Sequence, residues 1–403
     1  MDAFFVSVEE LYDPSLVGQP VVVGGRATDR GVVSAASYEA RKFGVHSAMP
    51  LRTAAKLCPH AIFLEGKRER YTECSRQVAE VLRSFTPRVE MASIDEAYLD
   101  VTGAERLHGP PLKAAHKLHE LMLERTRLKC SIGIATSRLV AKVSSDQAKR
   151  NGILWVLPGA EAGYLAPLDV RKIPGVGKVM EANLHKLGIR KVGDLAALDT
   201  AFLRAKFGQW GLALAGKSRG EDAGGWFDGE IGTGEDPKSI SHEHTFDVDT
   251  ADAAALESTL TKLSEMVARR LREHGLHTRT VQLKLRYSDF STMTRAHTLE
   301  QATQIDQDLI MESRALFRAN WTMGRRVRLL GVQAGQLGPA GAQMDLLGGE
   351  QSEKRKKAWA AVDKLRDKFG DASVALAGGM QGNFRRRVHD ALEAGEEKKP
   401  PAD

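Results

Sequence analysis

The sequence predicts a multidomain α/β protein with a helical middle segment and a second α/β unit nearer the C-terminus. Strand-like and amphipathic helical segments alternate over residues 1–158, and the alternation returns over residues 238–337. Between them, the stretch GGWFDGEIGTGEDP is rich in glycine and acid, has no periodicity and is typical of a linker. A chain of 403 residues is long enough for about two to four domains.

Over the first 158 residues the pattern predicts helices and strands in alternation. FFVSVEELY has helical periodicity, QPVVVGG and GVVSAAS are strand-like runs, and SYEARKFGV is a short helix that Gly44 ends. A helix over residues 71–85 precedes a strand–turn–strand unit at VEMASIDEAYLDVTG. A helix over 112–128, a strand at KCSIGIATS and a helix over 138–152 follow. This alternation predicts a compact layer of helices against a sheet.

The rest of the chain has two further patterns. Short helices separated by glycines fill residues 159–220. After the linker, KSISHEHTF, RTVQLKLRYSDF, TMTRAHTL and RRVRLLGVQAG are predicted strands, with helices over 252–275 and 302–320. This βαββαβ order predicts a four-stranded antiparallel sheet with both helices on one face. In the tail, EKRKKAW begins a helical stretch and is interpreted as a solvated helix face or as a source of nonspecific DNA affinity.

Composition and charge restrict the function classes. The apolar fraction of 42% suits a protein with a buried core, and the net charge of +6 favours a polyanionic partner, although a basic ordinary enzyme would look alike. Cys58, Cys74 and Cys130 lie far apart without a CxxC pair, which argues against a disulfide framework and a zinc site. No signal peptide is recognised and no apolar run approaches about 18 residues, so a cytoplasmic location without membrane contact is expected.

The segment SIDEAYLDV contains two adjacent carboxylates, Asp95 and Glu96, between strand-like flanks. On a regular strand they would face opposite sides, whereas at the tip of a tight hairpin they can converge. Converging carboxylates repel each other unless a cation or a shared proton intervenes, and a hard divalent ion suits them. Two such ions about 4 Å apart would serve phosphoryl transfer. Taken alone, the dipeptide is more simply a solvated acidic turn.

Cationic side chains elsewhere suit phosphate groups. Tyr38 and Arg41 are three residues apart on a predicted helix and share a face, and a hydroxyl beside a guanidinium suits a phosphate. Lys149 contributes a point charge at a predicted helix end. Each of these residues alone fits an ordinary solvated surface. Acids for metal ions, cations for phosphates and the α/β layering together indicate nucleotide chemistry.

The stretch KIPGVGKVMEANLHKLGIRKVGDL has the signature of a helix-hairpin-helix. Gly175 and Gly177 permit close approach of the backbone to a phosphate, the amides at the start of the next helix face it, and Lys178 adds charge. Such a motif holds the DNA backbone without reading its sequence. A simple packing corner between two helices is the alternative.

Near the C-terminus, GAQMDLLGGE is a short apolar segment in a predicted loop. It suits docking as an extended peptide in the pocket of a partner, through Gln343, Met344, Leu346 and Leu347. Exposed leucines are common in loops, so the segment alone does not establish that it is a docking peptide.

Together these motifs resemble the Y-family translesion DNA polymerases, and most closely their bacterial DinB branch. The landmarks stand in the family's order over about residues 1–347: MDAFFVSVEE, SYEARKFGVHSAMP, SIDEAYLDV, SIGIATSRLVAKVSSDQAKRNG, IPGVGK and LRYSDFSTMTRAHTL. The resemblance implies a right-hand polymerase with a palm, small fingers, a helical thumb and a βαββαβ little finger. It also implies error-prone, template-directed translesion synthesis, in which dNTPs are added to a primer 3′-OH by two-metal nucleotidyl transfer.

The resemblance also assigns roles to single residues. Asp95 and Glu96 correspond to the catalytic acids that hold two Mg²⁺ ions, with Mn²⁺ as an alternative, and Met1 would contribute its carbonyl. Phe5 corresponds to the steric gate that excludes a ribose 2′-hydroxyl. Substrate contacts are implied for Phe4, Phe5, Tyr38, Arg41 and Lys149. DNA contacts are implied for Gly175, Gly177 and Lys178, and clamp contacts for Gln343, Met344, Leu346 and Leu347, the last replacing a usual aromatic.

The implied partners are primer–template DNA, a dNTP and a sliding clamp, and a monomer is expected. The predicted domains are the start of palm and fingers (1–66), palm (67–157), thumb (158–222), linker (223–237), little finger (238–337) and a tail with the clamp-binding peptide (338–403).

The opening departs from the family pattern, which reads roughly I-x-H-V-D-M-D-A-F-F. The sequence begins at the M, so the first aspartate of the pattern is absent and Asp2 corresponds to the second. One interpretation is that the natural protein has a few more residues, which form an interior palm strand. The other is a catalytically impaired scaffold that binds DNA and the clamp, although the retained Asp95–Glu96 pair argues against it. A nucleotide cyclase is a third class, which the helix-hairpin-helix and the second α/β unit disfavour.

Overall fold

A computed structural model of the chain describes residues 1–232, 236–339, 349–370, 373–374 and 376–379. Within these ranges, apolar side chains gather in clusters that follow the chain: two in the N-terminal α/β region, one in the helical middle and one in the C-terminal unit. No helix in the described ranges combines the length and the apolar character needed to cross a membrane.

The first elements form a small sheet flanked by helices. They are α1 Phe4–Tyr12, β1 Val21–Val23, β2 Ala35–Ala36, α2 Tyr38–Arg41, α3 Leu51–Leu57 and β3 Ile62–Leu64. β1 is the central strand, antiparallel to β2 and parallel to β3, and its three valines are fully buried. α1, β1, β2 and α2 match the predicted elements, whereas α3 and β3 were not predicted.

The next elements form the layer that holds the acidic pair. They are α4 Arg68–Phe85, β4 Val89–Met91, β5 Ala97–Leu99, α5 Glu105–His108, α6 Pro111–Thr126, β6 Ile132–Ile134, α7 Arg138–Gln147 and β7 Ile153–Trp155. β4 and β5 form the predicted antiparallel hairpin, with Met91 opposite Ala97. β6 pairs in parallel with β7, a strand that was not predicted. α4 and α6 bury one apolar face each in a shared core.

Short helices make up the middle of the chain, as predicted. They are α8 Glu161–Leu165, α9 Lys178–Lys186, α10 Val192–Ala196, α11 Thr200–Phe207 and α12 Gln209–Ser218. A 3₁₀ turn at Val170–Lys172 precedes the hairpin that leads into α9. Another, at Gly225–Asp228, begins the predicted linker and buries Phe227 against the helical core.

The C-terminal unit confirms the predicted βαββαβ arrangement. Its elements are β8 Ile240–Thr250, α13 Ala253–Glu273, β9 His277–Tyr287, β10 Thr292–Thr303, α14 Asp306–Asn320 and β11 Val327–Gly338. The strands are antiparallel in the order β10-β9-β11-β8. In β9, Val281, Leu283 and Leu285 are buried beneath α13 and α14, while the alternating Gln282 and Lys284 face outward.

A further helix, α15 Gly349–Phe369, packs on this unit rather than standing apart from it. Trp359 is only 7% exposed and donates its indole N–H to the Gln307 Oε1 at 3.2 Å. Arg272 of α13 reaches the Asp363 Oδ2 at 2.6 Å and the buried Asp306 Oδ2 at 2.5 Å. The interpretation of EKRKKAW as a solvated face is therefore wrong at its last residue, because Trp359 lies in a packed interface.

One ion pair joins the N-terminal and C-terminal parts. Arg30, in the loop between β1 and β2, pairs with Asp249 of β8, and the Arg328 Nη1 lies 3.9 Å from the same Oδ1. Both Arg30 and Asp249 are largely covered in this contact. The two α/β regions therefore touch across a distance of 219 residues in the chain.

Candidate active site

The turn between β4 and β5 presents the two predicted acids. The Ser93 Oγ accepts the Glu96 main-chain N–H at 3.1 Å and donates to the Asp95 Oδ1 at 2.9 Å. The Ala92 N–H closes the turn on the Glu96 carbonyl at 2.8 Å. Asp95 is half-buried, Glu96 is exposed, and both line one cavity of about 230 Å³. A tight hairpin therefore brings both acids to one cavity, and Ser93, which sequence reasoning missed, organises it.

Lys142 of α7 faces the acidic pair across this cavity. Its ammonium pairs with the Glu96 carboxylate, and the Asp146 Oδ1 lies 3.6 Å away. Burial opposes the charged form of Lys142, but the hydrogen bond and the charge of Glu96 outweigh it and raise its pKa. A cation thus already offsets part of the negative charge. Lys142 lies four residues after Arg138, in a helix that the sequence predicted. No sequence pattern near Lys142 links this residue to the hairpin.

Met1 and Lys149 lie next to the same hairpin. The Met1 nitrogen is 2.6 Å from the Asp95 carbonyl oxygen, and the Lys149 Nζ donates to the Met1 carbonyl at 3.2 Å. The Lys149 Nζ is also 3.2 Å from the Asp2 Oδ1. The predicted phosphate-binding lysine, the predicted carbonyl ligand and the acidic pair are thus neighbours around one cavity, which Met1, Asp95 and Lys149 all line.

Tyr38 stands between two guanidinium groups. The Arg41 Cζ lies 4.9 Å from the centre of its ring, and the Arg150 Cζ lies 4.5 Å from it. The Tyr38 hydroxyl is buried and, among the described residues, has no hydrogen-bond partner. Burial raises the pKa of Tyr38, and the charge of Asp2 adds to this shift. The Tyr38–Arg41 pair occurs as predicted, and Arg150, next to Lys149 in sequence, joins it.

Phe5 and Phe4 have different surroundings. The Phe5 ring is half-exposed and stacks on Tyr71 of α4, with centroids 4.3 Å apart and planes 14° apart. The Tyr71 hydroxyl donates to the buried Glu9 Oε1 at 2.6 Å, and the Arg70 Nη1 donates to the Oε2 at 2.9 Å. Phe4 is 3% exposed within the core, so only its main chain is available to a ligand. Sequence reasoning missed Tyr71 and Glu9, which support the predicted gate.

A buried lysine packs against the predicted hairpin that precedes α9. Gly175 has a φ of +94°, and a side chain there would run into Trp210. The Lys217 Nζ donates to the Pro174 carbonyl at 3.2 Å and lies 4.8 Å from the Trp210 ring centre. Gly177 precedes α9, and Lys178 begins it on the exposed side. The predicted clamp residues Gln343, Met344, Leu346 and Leu347 lie outside the described residues.

Comparison with known proteins identifies the family. Residues 1–146 match the impB/mucB/samB family, residues 158–189 the IMS family HHH motif, and residues 237–346 the impB/mucB/samB family C-terminal domain. A DNA polymerase IV of Dehalococcoides mccartyi strain CBDB1 is 41% identical over 93% of this chain and 94% of its own length. The chain belongs to the Y family of DNA polymerases. A DNA polymerase IV of Methanoculleus marisnigri is 42% identical, covering 84% of this chain and 92% of its own.

Solved structures agree with this membership. A Y-family DNA polymerase chimera of Dbh and Dpo4 superposes with a TM-score of 0.70 at 26% identity, covering 84% of this chain and 97% of its own. The insertion ternary complex of Dbh DNA polymerase gives a TM-score of 0.54 at 26% identity, covering 83% of this chain and 96% of its own. The predicted right-hand architecture and the prediction of a DNA-directed DNA polymerase are confirmed. The exact domain boundaries stay a prediction.

Y-family polymerases use divalent metal ions, and the oxygen atoms at the hairpin fit such ions. Asp95, Glu96 and Met1 line one cavity, and their carboxylate and carbonyl oxygens are hard donors, the Met1 carbonyl being the acceptor of the Lys149 ammonium in the absence of an ion. Among the described residues, no group of three or more histidine, cysteine and acidic side chains is close enough to hold a metal on its own. A small divalent ion needs only one or two carboxylates when phosphate oxygens and water complete its shell.

Proposed function

We propose that this polymerase carries out error-prone translesion synthesis by two-metal nucleotidyl transfer at the β4–β5 hairpin. The observation that carries the proposal is that Asp95 and Glu96 line the same cavity as the Lys142 and Lys149 ammonium groups. Carboxylates attract divalent cations, and ammonium groups attract a polyphosphate, so both charge types of a metal–dNTP complex are provided for. Curated relatives named DNA polymerase IV support the same activity.

Asp95, Glu96 and the Met1 carbonyl are proposed to hold two Mg²⁺ ions. When bound, such ions neutralise charge on the triphosphate and favour ionisation of the primer 3′-hydroxyl. The hairpin contributes its geometry in advance, since Ser93 fixes the Asp95 carboxylate and the Glu96 main chain before any substrate arrives. Without ions, Lys142 reduces the repulsion between the two carboxylates through its pair with Glu96.

The cationic residues are proposed to bind the triphosphate of the incoming dNTP. Lys149, Arg41 and Arg150 offer positive charge, and the Tyr38 hydroxyl, which has no partner in the described part of the chain, offers a donor that a phosphate oxygen would satisfy. The main-chain amides at the start of α1 lack acceptors within the helix, and Phe4 contributes one of them. Binding at these groups would set the α-phosphorus opposite the primer oxygen, because a fixed triphosphate restricts the nucleotide to one orientation.

Phe5 is proposed to exclude ribonucleotides, since an aromatic ring beneath the sugar leaves neither space nor a hydrogen-bond partner for a 2′-hydroxyl. Gly175, Gly177 and Lys178 are proposed to hold the DNA backbone through main-chain amides and charge. Docking of Gln343, Met344, Leu346 and Leu347 on a sliding clamp, a monomeric state and a cytoplasmic location stay predictions from the sequence.

Primer extension with two conservative variants tests the proposal. Asp95→Asn and Glu96→Gln are each expected to lower single-nucleotide addition by about two to three orders of magnitude or more, because charge stabilisation is lost. Binding of primer–template DNA should stay within a few fold, since the proposed contacts to the DNA backbone lie at Gly175, Gly177 and Lys178 and not at these acids. Asp146→Asn is the matched control, because it removes a carboxylate near Lys142 without touching the hairpin.

The active-polymerase and scaffold interpretations of the sequence predict different results in the primer-extension assay. If the unaltered protein binds DNA but extends no primer under any divalent ion, the proposal fails and the scaffold alternative holds. If the protein extends primers and both hairpin variants retain activity, the assignment of Asp95 and Glu96 is wrong.

A further inference from the structure

We propose that Asp2 is a positioning residue that holds Lys149 at the mouth of the cavity in the orientation that receives the triphosphate. This inference rests on the proposed role of Lys149 in binding the incoming nucleotide. Asp2 is not among the residues that line the cavity of Asp95 and Glu96. It acts through its neighbours.

The Asp2 carboxylate is enclosed by three donor groups from two segments of the chain. The Ser131 Oγ lies 2.9 Å from both carboxylate oxygens, the Asn151 main-chain N–H donates at 2.5 Å, and the Lys149 Nζ is 3.2 Å away. The main chain of Asp2 is fixed too, because its N–H donates to the Lys129 carbonyl at 3.0 Å. A carboxylate held in this way is a rigid acceptor for the lysine.

The exposed fractions of the Asp2 and Lys149 side chains show which of the two faces the cavity. The Asp2 side chain is 5% exposed and the Lys149 side chain is 31% exposed. The lysine therefore separates the carboxylate from the open cavity, and a ligand entering the cavity meets the ammonium. This differs from Asp95 and Glu96, which line the cavity themselves. Asp2 is thus suited to orient a cation and unsuited to bind an ion directly.

The chain segment after Lys149 is held by the same carboxylate. Asn151 has a φ of +60°, donates its main-chain N–H to Asp2, and has its side-chain Oδ1 3.0 Å from the His119 Nε2 of α6. Lys149 is therefore held at its main chain through Asn151 and at its ammonium through Asp2 and the Met1 carbonyl. A lysine loses rotamer entropy when it is fixed, and here much of that loss precedes nucleotide binding.

The main test compares kinetic constants of Asp2→Asn with those of the unaltered protein. The variant is expected to raise the KM for dNTP about tenfold, or about 1.4 kcal/mol, with kcat changed by less than about threefold. A merely structural role would instead lower the active fraction and leave the KM unchanged. In a Lys149→Ala background, Asp2→Asn should cause no further rise in KM, because the two residues act as one unit.

The matched control is Asp306→Asn, which removes a buried carboxylate with a basic partner in the C-terminal unit. It should leave the dNTP KM unchanged. Ser131→Ala provides a second variant that keeps the Asp2 charge and removes one anchor, and it should raise the KM by a smaller factor. A dNTP KM that is unchanged or lower in Asp2→Asn overturns the proposal.

A chemical readout separates this inference from the proposed activity. Amine labelling followed by mass spectrometry should show Lys149 modified several times faster in Asp2→Asn, with Lys142 as an internal reference. If the unaltered protein extends no primer, the proposed function fails, and the labelling result still judges whether Asp2 holds Lys149. Equal labelling of Lys149 in both proteins overturns the positioning role whatever the activity.

Discussion

The stack of Phe5 on Tyr71 predicts a graded loss of discrimination against ribonucleotides. Phe5→Val removes the ring that would stand beneath the sugar, and Tyr71→Ala removes the ring on which Phe5 rests. Tyr71→Phe keeps the stacked ring and removes only the hydroxyl that donates to Glu9. We therefore expect the largest effect from Phe5→Val, a smaller one from Tyr71→Ala and almost none from Tyr71→Phe.

The stacking geometry gives the size of the middle effect. Rings 4.3 Å apart at 14° form a stacked pair, and such pairs contribute about 0.5–1.5 kcal/mol beyond area burial. Losing that support should lower discrimination by about two- to twelvefold. Direct loss of the gate should cost about a hundredfold, the scale of a pocket that excludes one extra group. The Tyr71 hydroxyl bond to the Glu9 carboxylate should affect stability instead, by about 1.5–3 kcal/mol.

The assay is single-nucleotide incorporation of a dNTP and its matching rNTP opposite the same template base. The ratio of the two kcat/KM values cancels any loss of folded protein, because both substrates meet the same enzyme. Two results would refute the reasoning: a ratio in Phe5→Val equal to that of the unaltered protein, or a Tyr71→Phe loss as large as that of Tyr71→Ala.

Two further predictions concern the thumb hairpin and the C-terminal unit. Gly175→Ala combines a left-handed φ with a clash against Trp210, so it should weaken binding of primer–template DNA several fold and lower the urea midpoint. Gly188→Ala, with a φ of +80° and open space around it, should show only the strain, and equal losses in both would contradict this account. Burial raises the pKa of Asp306 to about 6 despite Arg272, so the folded state holds a proton that the unfolded state releases. Unfolding free energy should therefore fall by about 3 kcal/mol as the pH rises from about 3 to about 7, and a urea titration of Asp306→Asn that kept this full dependence would disprove the assignment.

Long periodic segments were predictable from sequence because burial repeats along them. α13 and the strands of the C-terminal sheet carry many regularly spaced apolar residues, and their order alone indicated the βαββαβ unit. β3 and β7 were missed because IFL and ILW each contain a single β-branched residue, whereas the predicted runs at β1 and β2 contain VVV and VV. α3 was missed because LRTAAKL buries only Leu51 and Ala54, which gives a weak pattern.

Some residues of the site could also be predicted from the sequence, and others could not. The Asp95–Glu96 hairpin could be predicted, because the charge pattern and the turn lie within one short segment. Lys142, Arg150 and Tyr71 could not, since each is an ordinary residue in its own segment and meets its partner, which lies in another segment, only in the folded chain. The role of Asp2 was hidden for the same reason: its donors lie about 130 to 150 residues further along the chain.

The ion pair of Arg30 with Asp249 is an intramolecular contact between the two α/β regions. The pair is largely covered, with side chains 27% and 14% exposed, and its partners share one chain, so they meet at an effective concentration in the millimolar range. Because counterions screen charges over about 8 Å at physiological ionic strength, we expect added salt to weaken this contact. Nucleic acid phosphates carry negative charge as Asp249 does, so we expect a bound polyanion to compete with Asp249 for Arg30 and Arg328.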